Sequence, residues 1–325
     1  MITKEQLEEK QINIYIIVLI ISIVVGFNWS NSSILSNAIE PVIGLLLYGM
    51  FCQIPFLELK QVIKKRSFFK ALLLGNFVLI PLLVWLLISL FSVGSSLQLG
   101  VVLVLLTPCI DYVIVFTHLG KGDARAVLAA TPLLFLLQLI LLPFYLWLFL
   151  GKETIQMIEI TPFVQAFVYL IVVPFLLSVI TQITATTKSI GKKILSFSGW
   201  LPVPLMALTF FVVISSQVAV LYNNPASIIA VAPIYISFAL IAPFIGIIAS
   251  NLYKTSYTEK RAVAFSTSTR NSLVVLPLAL SLPAPENQLV AVVIVTQTII
   301  EIFFELLYIR IIPRIIPAKT SHISG

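Results

Sequence analysis

Charge is what this chain has least of: 10% of its 325 residues are Asp, Glu, Lys or Arg, against about 25% in an ordinary soluble domain. That excludes a soluble globular protein. Cysteine is nearly absent too, and Cys52 and Cys109 both sit inside apolar runs, which excludes a disulfide framework. The two histidines, His118 beside the HLGKGD loop and His322 in the tail, have no second ligand at a suitable spacing, so no metal centre is expected. The chain has no P-loop, GxSxG, HExxH or dinucleotide fingerprint. No cofactor and no enzyme activity are therefore expected, and uphill work must draw on an ion gradient. The start MITKEQLEEKQ carries acidic residues and no signal-peptide core, so the first apolar span is expected to be retained.

What the chain has instead is apolar residues, 59% of the total, with a mean hydropathy of +1.09. Runs of about 20 such residues cross a hydrocarbon core of about 30 Å. Windows of that length place ten spans near residues 12–27, 39–57, 69–92, 98–119, 124–150, 161–182, 200–220, 228–250, 261–281 and 287–312. The net charge of +7 implies no nucleic acid, because the basic residues lie in short loops between spans and form no continuous patch. Eighteen of the twenty fall on alternate sides: Lys4 and Lys10; Lys60 to Lys70; Lys121 and Arg125; Lys188 to Lys193; Lys254 to Arg261; Arg310 to Lys319. Lys152 alone lies opposite, and Arg270 belongs to no loop. The positive-inside rule then puts both termini in the cytoplasm, in a multi-pass protein of the plasma or inner membrane.

Ten spans divide into two sets of five, residues 1–151 and 152–325. An odd number per half requires any internal repeat to be inverted in the membrane, a transporter device. FVLIPLLVWLL in the third span echoes FALIAPFIGII in the eighth, each with a mid-span proline, Pro81 and Pro243. The polar interruptions TPCIDY, residues 107–112, and STSTRNS, residues 266–272, fall in the fourth member of each half.

A broken helix in lipid leaves backbone groups unpaired at several kcal/mol each unless protein, water or ligand meets them. The breaks are therefore expected to be buried and functional. Thr107 before Pro108 reads as a helix start, with Ser268 or Thr269 as the matching cap, so that two helix N-termini favour an anion between them. Asp111 and Arg270 each cost about 2.5–3.5 kcal/mol at a helix centre and are expected to pair. The pair either pins two crossing helices or closes a site that opens to substrate or proton. Glu301 and Glu305 share a face of span ten: Glu301 is a candidate for proton or cation coupling, and Glu305 is expected at the cytoplasmic interface. Gln138 and Gln297 read as interhelical hydrogen-bond partners, and Asn76 as a packing amide. Cys109 is either a small buried residue or a soft sulfur for a thiophilic species.

NFVLIPLLVWLL, TPCIDYVIVFTHLGKGDARAV and RAVAFSTSTRNSLVVLPLAL together resemble the bile acid:sodium symporter superfamily, and within it the arsenical-resistance permease branch. The likeness runs over nearly the whole chain. It implies an all-α membrane protein of ten helices in two inverted five-helix repeats, with a panel of spans 1, 2, 6 and 7. The core, spans 3–5 and 8–10, carries the unwound crossing of spans four and nine beside the substrate site. Cys109 matches the fourth-span cysteine of the arsenite exporters, which implies metalloid efflux against proton entry. The family's ninth-span glutamate is replaced here by Arg270, Asn271 and Ser272. Losing that carboxylate argues against a sodium site, and gaining a cation favours an anionic substrate.

The expected activity is thus proton-coupled export of a metalloid oxyanion or similar small anion. Arg270, Asn271, Cys109, Thr107, Ser268, Thr269 and Ser272 are the expected substrate residues, and Asp111 and Glu301 the ion-coupling residues. The expected partners are the substrate, a proton or sodium ion, the lipid bilayer and a second copy in a homodimer. A sodium-coupled organic-anion symporter and a non-transporting scaffold are the alternatives.

Overall fold

The computed structural model describes residues 4–29, 31–53, 65–110, 112–156, 165 and 168–318. Among them the chain is helical, with no strand and one isolated β-bridge. Among the described residues, six helices are long and apolar enough to cross a membrane: Ile34–Phe51, Arg66–Leu90, Leu133–Gly151, Pro202–Asn223, Pro225–Leu252 and Glu286–Ile315. Three shorter apolar helices, Asn13–Asn28, Ser95–Leu105 and Val173–Thr187, add to these. The chain is a multi-pass membrane protein.

Of the ten expected spans, the first, fourth, sixth and ninth are not among the six, and the first and sixth correspond to the shorter Asn13–Asn28 and Val173–Thr187. The fourth is cut into Ser95–Leu105 and Val113–Leu119, and the ninth into Tyr257–Ser268 and Ser272–Leu280. Stretches of the second and sixth, residues 54–57, 161–164 and 166–167, lie outside the described residues.

The chain forms two compact units. The first comprises Met1–Ile54, Gln156–Ile228 and Leu273–Val295. Here helix Lys4–Asn28 lies so close to helix Pro202–Asn223 that a Cβ on Gly26 would stand 2.8 Å from the Ser215 carbonyl. Such backbone approach at small residues is how helices associate where apolar burial alone gives no preference. The Ser215 hydroxyl donates to the Ser22 carbonyl (3.1 Å), Tyr15 meets Phe210 edge-on, and the Gln182 amide donates to the Phe51 carbonyl (3.0 Å).

The second unit comprises Pro55–Ile155, Ile229–Ser272 and Thr296–Gly325. Pro81 and Pro243, each inside a helix of this unit, lack the N–H that the carbonyl four residues earlier needs. Those carbonyls, Phe77 and Ala239, each accept from a tyrosine hydroxyl instead: Tyr145 serves Phe77 at 2.6 Å, and Tyr308 serves Ala239. Helix Tyr257–Ser268 is tightly held: a Cβ on Gly246 would fall 2.6 Å from Ala264 Cα, and one on Gly75 would fall 2.8 Å from Thr267 Cγ2.

One end of this unit gathers polar loops. Lys65 Nζ lies 2.5 Å from Asp123 Oδ2 and 3.5 Å from Glu259, and Asp123 Oδ1 accepts from the Ala126 N–H. The hydrogen bond to Asp123, outweighing partial burial, holds the Lys65 ammonium above its ordinary 10.5. Burial alone raises the Asp123 carboxyl, but the Lys65 bond, the Ala126 N–H and the charges of Lys65 and Arg125 prevail and hold it below its ordinary 3.8. Arg261 is buried at the same end, donating to the carbonyls of Ile316, Lys121 and Pro313.

Candidate functional site

The two polar interruptions meet inside the second unit. Pro108 and Arg270 form an antiparallel bridge: the Cys109 N–H donates to the Thr269 carbonyl (3.2 Å), and the Asn271 N–H donates to the Thr107 carbonyl (2.8 Å). These bonds exchange under a shift of 162 residues, 107 to 269 and 109 to 271, which also carries Pro81 to Pro243.

Diverting N–H groups into the bridge orphans the carbonyls that a continuous helix would have served. The Leu105 carbonyl loses the Cys109 N–H and the Thr267 carbonyl loses the Asn271 N–H, while the Ser266 carbonyl loses the Arg270 N–H, which goes to Glu301 Oε2 at 2.7 Å. The Arg270 side chain answers all three. It is wholly buried; NH2 donates to the Ser266 (2.7 Å) and Thr267 (2.8 Å) carbonyls and to Asn76 Oδ1 (2.8 Å), and NH1 to the Leu105 carbonyl (3.3 Å). The guanidinium lies 5.5 Å from the Phe238 ring centroid. One cation thus caps two helix C-termini, where the partial negative ends of the helix dipoles favour positive charge.

This corrects the expectation built on helix N-termini. The Thr107 hydroxyl donates back to the Leu103 carbonyl (2.7 Å), and the next helix starts only at Val113, with no side-chain cap. The Ser268 and Thr269 hydroxyls likewise bond back, to Ala264 and Phe265, so they finish the preceding half-helix. The extended bridge between the half-helices puts Thr107 and Thr269 on the C-terminal side of each break.

Among the described residues, no carboxylate lies within salt-bridge distance of the guanidinium. Asp111, expected to pair with it, lies outside the described residues. Cys109, Asn271 and Ser272 are buried at the crossing, and Ser272 Oγ is 2.8 Å from the Thr298 hydroxyl.

Two carboxyls reach the crossing from helix Glu286–Ile315. Glu301 Oε1 is 2.6 Å from the Tyr112 hydroxyl, which also lies 2.8 Å from the Arg270 carbonyl. Gln297 Nε2 donates to Glu301 Oε2 at 2.5 Å, on its own helix rather than between helices as expected. Glu305 is wholly buried and not interfacial; its Oε1 is 2.7 Å from the Thr269 hydroxyl. The cause is the four-residue spacing, which stacks it on the face that buries Glu301. Asn76 is more than a packing amide, since it bonds both Arg270 and Ser266. Nothing in the sequence marked Asn76 as a partner of the breaks, and within TPCIDY nothing singled out the Tyr112 hydroxyl. A cavity with room for about one water molecule adjoins the crossing and is lined by Ser268, Tyr235, Gln297, Glu301 and Tyr308, among others.

Interrupted helices that meet around buried charge in a multi-pass protein are the architecture of secondary transporters. The model of the Sodium Bile acid symporter family matches residues 40–224, more than half of the chain, and the chain belongs to that family. Its members are membrane transporters and not enzymes. No curated protein matches the chain.

Proposed function

We propose that this chain is a proton-coupled secondary transporter that exports a metalloid oxyanion of the arsenic or antimony type, or a similar small anion, by alternating access. The observation that carries the reading is the burial of Arg270 at the crossing, with its side chain held by carbonyls and its main chain held by Glu301 and Tyr112. In this reading a substrate anion competes with those carbonyls for the guanidinium. Any shift of the Arg270 backbone then disturbs the bonds of Glu301, which links substrate to proton within one residue.

Cys109, Asn271, Thr107, Ser268, Thr269 and Ser272 line the substrate site in this reading, and Asp111 and Glu301 carry the coupling ion. The 162-residue shift and the paired proline–tyrosine contacts support two inverted five-helix repeats. Met1–Ile54 and Gln156–Ile228 of the first unit, which hold spans 1, 2, 6 and 7, support a panel built from those spans, although Leu273–Val295 of spans nine and ten belongs to the same unit. Loop charge supports cytoplasmic termini in a plasma or inner membrane.

The test uses purified protein in proteoliposomes with an imposed pH gradient or sodium gradient, assaying arsenite, antimonite, arsenate, phosphate and a bile salt as organic anion in turn. The expected result is accumulation that a protonophore abolishes and that persists when choline replaces sodium. The second reading, a sodium-coupled importer of organic anions, draws on the family's own description; uptake that needs sodium and ignores the pH gradient would establish it. Movement of none of these anions under either gradient overturns the export reading.

A further inference from the structure

We propose that Glu301 and Glu305 form a two-proton site in which both stand as neutral carboxylic acids while the crossing is closed. The inference deepens the proton-coupled reading above and rests on it for its role in transport, but the proton site itself rests on a count of hydrogens.

The Tyr112 hydroxyl has one hydrogen, and among the described residues two acceptor oxygens lie within its bonding distance, the Arg270 carbonyl at 2.8 Å and Glu301 Oε1 at 2.6 Å. A backbone carbonyl only accepts. If the tyrosine serves it, the contact with Glu301 needs a hydrogen from the carboxyl. The Thr269 hydroxyl stands in the same position, with the Phe265 carbonyl at 2.6 Å and Glu305 Oε1 at 2.7 Å. Both contacts of both hydroxyls are satisfied together only when each carboxyl carries a proton on Oε1.

The other carboxyl oxygens agree with this placement. Glu301 Oε2 accepts from the Arg270 N–H and the Gln297 amide, which leaves Oε1 as the protonated oxygen. Glu305 Oε2 is buried with no hydrogen-bond partner among the described residues. A carboxylate there would leave an anionic oxygen unsolvated, whereas the neutral acid needs no donor at that atom. Among the described residues, the other titratable groups facing the pair are Arg270 and Tyr112 from the breaks, Tyr235 from helix Pro225–Leu252 and Tyr308 from their own helix. Tyr308 donates to the Ala239 carbonyl and so brings no hydrogen to either acid.

Release is a simple exchange. As each carboxyl O–H bond breaks, its proton passes to water, and the Tyr112 or Thr269 hydroxyl turns from its carbonyl to donate to the new carboxylate. The cavity beside Glu301 has room for about one water molecule and is lined by Gln297, whose Oε1 has no partner among the described residues; it offers the exit step. Since the Arg270 carbonyl is what engages the Tyr112 hydrogen, moving the Arg270 backbone frees that hydroxyl to donate to Glu301, which favours the carboxylate.

Infrared difference spectroscopy of the reconstituted protein across an acid-to-alkaline jump tests this. Two components are expected in the carbonyl stretch of protonated carboxylic acids, one lost in Glu301→Gln and the other in Glu305→Gln. Tyr112→Phe should displace only the first and Thr269→Val only the second. Glutamine keeps the shape and neutrality of the acid, so both carboxyl variants should fold. In transport, Glu305→Gln should lower the protons moved per substrate by one. Absence of acid bands, or bands that survive both glutamine variants, overturns the site. Acid bands that behave as expected in a protein that moves substrate with sodium alone uphold the site and overturn proton coupling.

Discussion

Arg270→Met removes the guanidinium while nearly keeping its length, and its cost follows from what the side chain holds. Four acceptors lose their donor: the carbonyls of Leu105, Ser266 and Thr267, and Asn76 Oδ1. At the average of about 0.6 kcal/mol for a side-chain hydrogen bond within membrane proteins, their loss costs at least about 2 kcal/mol. Charge-assisted bonds of about 1.5–3 kcal/mol each raise that figure, and relief from burying a cation lowers it again. The net expectation is a loss of about 2–4 kcal/mol, measured by chemical unfolding in a fixed detergent. Arg270→Lys discriminates further. An ammonium reaches the Ser266 and Thr267 carbonyls or the Leu105 carbonyl but not both helix ends, so about half of the loss should return. Wild-type stability in Arg270→Met, within about 0.5 kcal/mol, would refute the account of one cation capping two half-helices.

The proline–tyrosine pairs make a second expectation. Tyr145→Phe leaves the Phe77 carbonyl unserved and should cost about 1–3 kcal/mol; adding Pro81→Ala restores a backbone N–H at the right place and should recover most of it, read in a double-mutant cycle of unfolding energies. The loop cluster gives a pH dependence with a definite sign. Asp123 is depressed, so its contribution is full above 3.8 and disappears as pH falls through its lower folded value. Lys65 is raised, so its contribution is full below 10.5 and disappears as pH rises through its higher folded value. The Tm difference between wild type and Asp123→Asn should therefore be level between those limits and vanish at the acid end; a difference that changes across neutral pH would refute the pairing.

The breaks at residues 107–112 and 266–272 were readable because polar residues inside an apolar run are a local signal with a known insertion cost. Spacing alone also put Glu301 and Glu305 on one face. Their depth was another matter. Glu305 looked interfacial from its distance to the helix end, yet it is buried against Thr269, because burial depends on which neighbour covers that face.

The residues by themselves determined a multi-pass helical protein with two interrupted spans, since hydropathy and proline act over a few neighbouring positions. Only the tertiary structure decided what the buried arginine does. Its acceptors at Asn76, Leu105, Ser266 and Thr267 are drawn from three separated segments. They need a donor because the bridge between residues 107–109 and 269–271 takes away the N–H groups a continuous helix would supply. A need created by two distant stretches of chain meeting is written in neither stretch alone.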